Sequence, residues 1–150
     1  MITTLIDKLG GFFKMAGIEG LIRVEGEGVL SFGNHLADSK QKKQDFEVDG
    51  DVYKIKTYNS ITRLERNGRL LYESVPGTTV KNFTLDEKEL GFSVEGIEDA
   101  QIMIELEAEQ EYKIFVENVL LGKIKTNLSG KLNFSVELGN NAQKVIIKKS

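Results

Sequence analysis

The chain lacks cysteine and tryptophan, and its 150 residues include one proline and one histidine, His35. Without cysteine the chain can form neither a disulfide framework nor a reactive thiolate. A structural zinc site normally takes four cysteine or histidine ligands, and a single histidine cannot supply them. We therefore predict that this chain holds no metal and no cofactor.

The sequence also has little net charge and no long apolar run. Its formal charge is −3 and its pI is near 5.3, so it has no basic field that would attract nucleic acid, and we predict no nucleic-acid partner. No run approaches the roughly 18 apolar residues of a membrane span, and the N-terminus lacks the basic and apolar regions of a secretory signal. These features predict a cytoplasmic protein without a transmembrane segment, or else a chain from which a leader has been removed.

The N-terminal residues 4–17 have the apolar spacing of an amphipathic helix, with a capping pair at the start and Gly17 at the end. We predict that the segment 1–18 is a helix whose apolar face either packs on the sheet of this chain or binds a partner. The side chains of that face are Leu5, Leu9, Phe12 and Phe13. An alternative function is attachment to a membrane surface, but Lys8 and Lys14 alone give the helix a positive fringe, which argues against membrane contact.

From residue 19 the pattern changes to short strands separated by turn residues. The dipeptides Asp49-Gly50 and Asn67-Gly68 favour type I′ turns, because both central residues of such a turn need positive φ. Residues 19–75 are therefore predicted to form a small antiparallel β domain built from hairpins. Two-residue loops would set three cross-strand pairs, Phe46 with Tyr53, Leu64 with Leu71, and Arg63 with Tyr72.

The polar run at 33–45 is predicted to be an exposed loop. Its histidine, His35, is expected to be ordinary polar surface. Its lysines, Lys40, Lys42 and Lys43, are expected to be solvated rather than to bind phosphate, because no aromatic platform or glycine-rich cradle accompanies them.

The segment Val75-Pro76-Gly77 contains the only proline and is predicted to be a domain boundary. Seven short strands are expected after it, at 79–84, 90–95, 100–106, 111–117, 121–126, 131–138 and 143–148. Seven strands with regular turn signals are typical of a β-sandwich. The predicted fold is thus mainly β, an antiparallel β-sandwich at 78–150 that follows the hairpin domain and one short N-terminal helix.

The second half also carries a family resemblance, in the segment 106–116 and in a pattern of later positions. Those positions are Gly122, Thr126, Asn127, Gly130, Leu132, Phe134 and Val136. Together they resemble a fibronectin type III or immunoglobulin-like β-sandwich, a kind of module often appended to bacterial carbohydrate-active and surface proteins. The resemblance implies architecture and a role in spacing, docking or binding. It transfers no site residues.

No catalytic signature is present, and we predict that the chain is not an enzyme and has no catalytic residue. The carboxylate pairs Asp86-Glu87 and Glu98-Asp99 lie in turn-like segments rather than in a predicted cleft. The acidic positions Glu47, Asp49 and Asp51 match no calcium-binding loop.

The sequence favours a non-catalytic structural or adaptor protein that docks on a protein partner or on copies of itself through its helix and sheet surfaces. An alternative is a carbohydrate-binding module that stacks sugar rings on exposed aromatic side chains. The tyrosines proposed for such stacking are Tyr53, Tyr58 and Tyr72.

Overall fold

The computed structural model describes residues 16–139 and 141–150 of the chain. That part of the chain contains thirteen β-strands and no helix. The strands are β1 Ile22–Gly26, β2 Val29–Phe32, β3 Gln41–Val48, β4 Asp51–Tyr58, β5 Ile61–Arg66, β6 Arg69–Val75, β7 Thr79–Leu85, β8 Glu89–Glu95, β9 Ala100–Glu105, β10 Glu111–Val116, β11 Val119–Lys125, β12 Lys131–Val136 and β13 Gln143–Lys149.

The strands form two antiparallel sheets, which confirms the predicted mainly β fold. The first sheet has the order β1-β2-β7-β8-β13-β10-β11, and the second has the order β12-β9-β6-β5-β4-β3. Aromatic rings connect the facing surfaces: Tyr72 of the second sheet contacts Phe32 and Phe92 of the first, at centroid distances of 5.3 and 5.8 Å. The sheets pack face to face around a shared hydrophobic core, an arrangement consistent with a β-sandwich.

Strand β12 shows how the sequence pattern produces this packing. Leu132, Phe134 and Val136 are buried, and the residues that alternate with them face outward. Successive side chains of a strand point to opposite faces, so a period-2 pattern places all the apolar residues against the other sheet. Burial of each such side chain contributes about 1.5–3 kcal/mol.

Both predicted hairpin turns are present. Asp49 and Gly50 have φ values of 51° and 87°, and Asn67 and Gly68 have values of 53° and 80°. Positive φ at both central positions is the type I′ geometry. In the first hairpin Phe46 lies opposite Tyr53, as predicted.

The predicted register of the second hairpin is wrong by one residue beyond its turn. A bulge between Leu64 and Glu65 places Leu64 opposite Tyr72 and Arg63 opposite Glu73. The Arg63 guanidinium then lies 2.5 Å from a Glu73 carboxylate oxygen. The bulge also lets the consecutive residues Leu71 and Tyr72 both be buried, which a regular strand does not allow.

The two predicted domains, 19–75 and 78–150, are not separate in the described chain. Strand β2 pairs with β7 in the first sheet, and β6 pairs with β9 in the second, so each sheet contains strands from both ranges. The range 78–150 supplies five strands to the first sheet and only β9 and β12 to the second. Two strands cannot cover the inner face of five, and the earlier hairpins complete that layer.

Most of the predicted N-terminal helix lies outside the described residues. Residues 16–18, which the structure does describe, are not helical. Ile18 is buried and donates its N–H to the Gly33 carbonyl at 2.8 Å. No helix within the described ranges is long and apolar enough to cross a membrane.

The segment 33–45 was predicted to be an exposed loop, and this prediction is wrong at both ends. Strand β3 begins at Gln41, and His35 is 2% exposed. The Nδ1 atom of His35 lies 2.7 Å from the Thr79 hydroxyl, and the backbone N–H of His35 donates to the same oxygen at 3.2 Å. Burial lowers the pKa of His35, partly offset by the nearby Glu95 carboxylate.

His35 belongs to a buried group of polar side chains, which we call the polar junction. Its other members are Thr57, Thr62, Ser74, Thr78 and Thr79. The Thr62 hydroxyl lies at its centre: it donates to the Thr78 carbonyl at 2.6 Å, accepts from the Thr78 N–H at 3.0 Å and lies 2.7 Å from the Thr57 hydroxyl. The Thr78 hydroxyl is 2.8 Å from the Tyr72 hydroxyl and 2.7 Å from that of Ser74.

The backbone is crowded around the polar junction. A Cβ atom on Gly77 would lie 1.9 Å from the Tyr58 carbonyl oxygen, so a side chain at this position would displace the backbone. Gly33 has a φ of 97° and its Cβ would lie 2.6 Å from the Thr78 carbonyl oxygen. These two glycines allow three chain segments to meet closely enough for their hydroxyl groups to bond.

Candidate docking surface

Within the described residues, exposed large apolar side chains occur three in a row at the start of strand β11. Val119, Leu120 and Leu121 are 68%, 51% and 51% exposed, and they are consecutive. Isolated exposed apolar residues are common on soluble proteins, whereas this strand end exposes apolar side chains on both faces of the strand, because successive side chains alternate between the faces. The strand was predicted at 121–126, a range that leaves out the first two of these residues.

Strand β11 is also an edge of the first sheet. The Thr126 N–H bonds to the Gln110 carbonyl, on the β10 side, while the Glu111 carbonyl accepts the Ser150 N–H on the opposite side of β10. Hydrogen-bonding direction alternates along an antiparallel strand, so the backbone N–H and C=O groups of Lys123 and Lys125 point away from β10. These groups form a row of donors and acceptors that an added strand would bond.

Two of the other three sheet edges in the described chain carry features that discourage strand addition. Strand β3 contains Lys42 and Lys43 and is broken by a bulge at residues 44 and 45, where Asp45 has a φ of 60°. Strand β1 has five residues and a register shift after Val24. Strand β12 is regular and differs from β11 in presenting polar rather than apolar side chains on its outer face. Charges, bulges and short length all protect edges from pairing with other chains.

A row of apolar positions runs from the β11 edge across the outer face of the first sheet. In register, Leu120 lies opposite Phe115, Phe115 opposite Ile146, and Ile146 opposite Gly91. Because Gly91 has no side chain, the row ends in a groove of about 470 Å³ that Asn82, Ser93 and neighbouring residues line. We call these four positions the apolar row.

Lysines lie beside the apolar row. Lys123 is opposite Lys113, and Lys113 is opposite Lys148, so three cations occupy neighbouring positions on three strands. The Lys148 ammonium lies 5.8 Å from the Phe115 ring centroid and 3.8 Å from a Glu89 carboxylate oxygen. Within the described residues, no carboxylate lies within 4.0 Å of the ammonium groups of Lys113 and Lys123.

The structure does not bring the three proposed stacking tyrosines onto a common exposed face. Tyr72 is fully buried and Tyr53 is 7% exposed, because both side chains point between the sheets. Burial raises the pKa of both phenols. Tyr58 is half-buried. Rings in these positions cannot form a platform for a sugar, so the predicted stacking role of Tyr53 and Tyr72 is wrong.

The other predicted sites do not converge either. The side chains proposed to bind a partner, Leu5, Leu9, Phe12 and Phe13, lie outside the described residues. The acidic pairs at 86–87 and 98–99 are exposed, as expected. Asp86 accepts the N–H groups of Lys88 and Glu89, which stabilises the turn and lowers its pKa. In the described ranges, no group of three or more metal-ligating side chains lies together.

A second cavity, of about 440 Å³, opens between the sheets at one end of the fold. Its base is formed by core side chains such as Leu90, Tyr112 and Ile147, and its rim mixes both signs of charge, including Arg69 and Glu105. Two carboxylates of the rim are already paired with cations, Glu105 with Arg69 and Glu107 with Lys149. We therefore regard the β11 edge and the apolar row as the better candidate site. No protein family, curated protein or solved structure matched this chain when it was compared with them.

Proposed function

We propose that this protein is a non-catalytic adaptor that binds a protein partner by strand addition at the β11 edge. The observation that carries the proposal is the combination of an edge strand that is regular over residues 122–125 with three consecutive exposed apolar residues, Val119, Leu120 and Leu121. Strand addition uses main-chain hydrogen bonds for affinity and side-chain contacts for specificity, and this edge offers both.

The remaining edges support the proposal by contrast. Strand β3 has a bulge in its middle, β1 is short and irregular, and β12 presents polar side chains, whereas the bulge in β11 lies near its hairpin tip and leaves residues 122–125 regular. A soluble protein with one such edge risks uncontrolled self-association. A role in binding a partner strand explains why this edge is left open.

The proposal can be tested by selecting binders from a displayed library of random twelve-residue peptides against the full chain. The discriminating variant is Lys123→Pro, which removes an outward-facing N–H and should be tolerated, because proline is accepted on the solvent side of an edge strand. Lys123→Ala is the matched control, since it removes the same side chain but keeps the N–H. Selected peptides should bind the wild type and Lys123→Ala and lose most of their affinity for Lys123→Pro.

Hydrogen exchange gives a second readout. The amides of Lys123 and Lys125 should exchange rapidly in the free protein and become protected when a peptide binds. If Lys123→Pro fails to fold, Lys125→Pro tests the same prediction at the next outward-facing position. Equal binding to the wild type and the proline variants would show that peptides bind elsewhere, and would overturn the proposal.

A further inference from the structure

We infer that the strand that pairs with β11 carries an acidic–apolar–acidic triplet opposite Lys123, Ile124 and Lys125. The inference rests on the proposed function, because it specifies the partner of the same edge. It follows from the side chains that an added strand would meet on each face of the sheet, taken one position at a time.

The strongest requirement comes from Lys123. Its nearest cross-strand neighbour is Lys113, whose own neighbour on the other side is Lys148. Like charges placed directly opposite each other destabilise a sheet. Of these three lysines, only Lys148 has a carboxylate within 4.0 Å in the described chain, and that distance, to Glu89, is 3.8 Å. An acidic residue opposite Lys123 would place a negative charge next to these three lysines and offset their mutual repulsion.

Lys125 also favours an acidic neighbour, but less strongly, because Glu111 already lies opposite it on β10. An added strand would be its neighbour on the open side, and a second acidic residue there would lie two positions from the first. Residues two apart on a strand share a face. Both acidic side chains would therefore lie on the outer face of the sheet, beside the lysines.

The residue between the two acidic positions would point to the inner face. Its neighbour there is Ile124, which is half-buried against the hydrophobic core. Next to it, a Cβ atom on Gly122 would meet nothing within 4 Å, so the inner face is open at this edge. An apolar side chain fits this position, because it would extend the core over the edge strand.

Charge and periodicity together favour a peptide strand over other anionic partners. Nucleic acid or an anionic lipid surface would neutralise the lysines but would use neither the outward backbone groups of Lys123 and Lys125 nor the apolar position beside Ile124. The acidic–apolar–acidic pattern is symmetric, so it is the same in both chain directions. The inference therefore holds for parallel and for antiparallel addition.

The test uses two labelled ten-residue peptides and the full chain. In the first peptide glutamate alternates with valine, and in the second lysine replaces glutamate. Fluorescence anisotropy should show the glutamate peptide binding the wild type at least about tenfold more tightly than the lysine peptide, with an affinity that falls as salt rises. Lys123→Glu should remove or reverse that preference. Lys123→Pro should abolish binding of the glutamate peptide, whereas Lys123→Ala, which lacks the same ammonium but keeps the N–H, should weaken it without abolishing it.

Several outcomes would overturn the inference, and they are distinguishable. If both peptides bind equally and Lys123→Pro abolishes both, strand addition stands and the acidic partner is wrong. If Lys123→Pro leaves binding unchanged, both the inference and the proposed function fail. Binding of single-stranded DNA or anionic lipid vesicles as tightly as the glutamate peptide, with the same loss in Lys123→Glu, would identify a general anion surface instead. Failure of the glutamate peptide to bind the wild type would also overturn it.

Discussion

The polar junction and the β11 edge reverse the usual distribution of side chains in opposite ways. At the junction, hydroxyl groups and a histidine are buried in the core, and at the edge, leucines and a valine face solvent. The junction is almost fully satisfied internally, since the Thr57, Thr62, Ser74 and Thr78 hydroxyls all have partners within 2.6–3.0 Å. The apolar side chains at the edge have no comparable covering in the described chain.

This difference indicates that the polar junction serves stability and the β11 edge serves association. A buried polar group that finds all its partners inside the protein stabilises one arrangement of the chain, because any other arrangement leaves it unpaired. An apolar group left in water gains nothing from the fold and gains free energy only when another surface covers it. We therefore expect mutations at the junction to affect stability, and mutations at the edge to affect association.

The largest effect is expected from Thr62→Val at the centre of the junction. The substitution keeps the shape of the side chain but leaves the Thr78 N–H and C=O and the Thr57 hydroxyl without the partner they share. Each buried unpaired group costs about 1–3 kcal/mol, so we expect the free energy of unfolding to fall by about 2–4 kcal/mol in urea denaturation.

The matched control for this prediction is Thr84→Val, a threonine on β7 whose side chain is exposed. It should change the free energy of unfolding by less than about 0.5 kcal/mol. A loss below about 1 kcal/mol for Thr62→Val would mean that the junction hydroxyls find other partners, and would remove the basis for treating the junction as structural.

A smaller, pH-dependent effect is expected from His35. Burial lowers its pKa in the folded protein, while Lys81 lowers it further and Glu95 raises it. The unfolded chain therefore takes up a proton first as the pH falls below about 6.5, and stability should be lost there. One proton can account for a slope of at most about 1.4 kcal/mol per pH unit.

The measurement is the free energy of unfolding between pH 7.5 and about pH 5 for the wild type and for His35→Asn, whose amide can still bond the Thr79 hydroxyl. The variant should show a shallower loss of stability toward acid pH. Parallel curves for the two proteins would contradict the prediction, because they would show that His35 does not contribute to the acid sensitivity.

Local signals in the sequence predicted much of this fold. The Asp49-Gly50 and Asn67-Gly68 turns and the strands after Pro76 follow from φ preferences and period-2 alternation, which act over a few residues. The turn between β10 and β11 forms without glycine, with Glu117 and Asn118 at φ values of 49° and 66°.

The long-range features could not be predicted in this way. Pairing of β2 with β7 and of β6 with β9 joins residues about 50 and 30 positions apart, and no local pattern specifies those partners. The burial of His35 and Tyr72 depends on the same pairings. The three exposed apolar residues at 119–121 were visible in the sequence, but an apolar strand residue is normally expected to be buried, and only the strand order shows that β11 is an edge.

The smallest effect on stability is expected at the edge, from the double variant Leu120→Ser and Leu121→Ser. Both side chains are half exposed, so the free energy of unfolding should change by no more than about 0.5 kcal/mol, whereas peptide binding should weaken by about tenfold because apolar contact area is lost. Leu128→Ser is the matched control: this leucine is 81% exposed and lies beyond the far end of β11, so neither quantity should change.

Calorimetric unfolding and peptide titration on the same samples separate the two effects. A large loss of stability in the double variant would assign these leucines to the core and end the contrast with the junction, whereas unchanged stability with weakened binding would place their role in association.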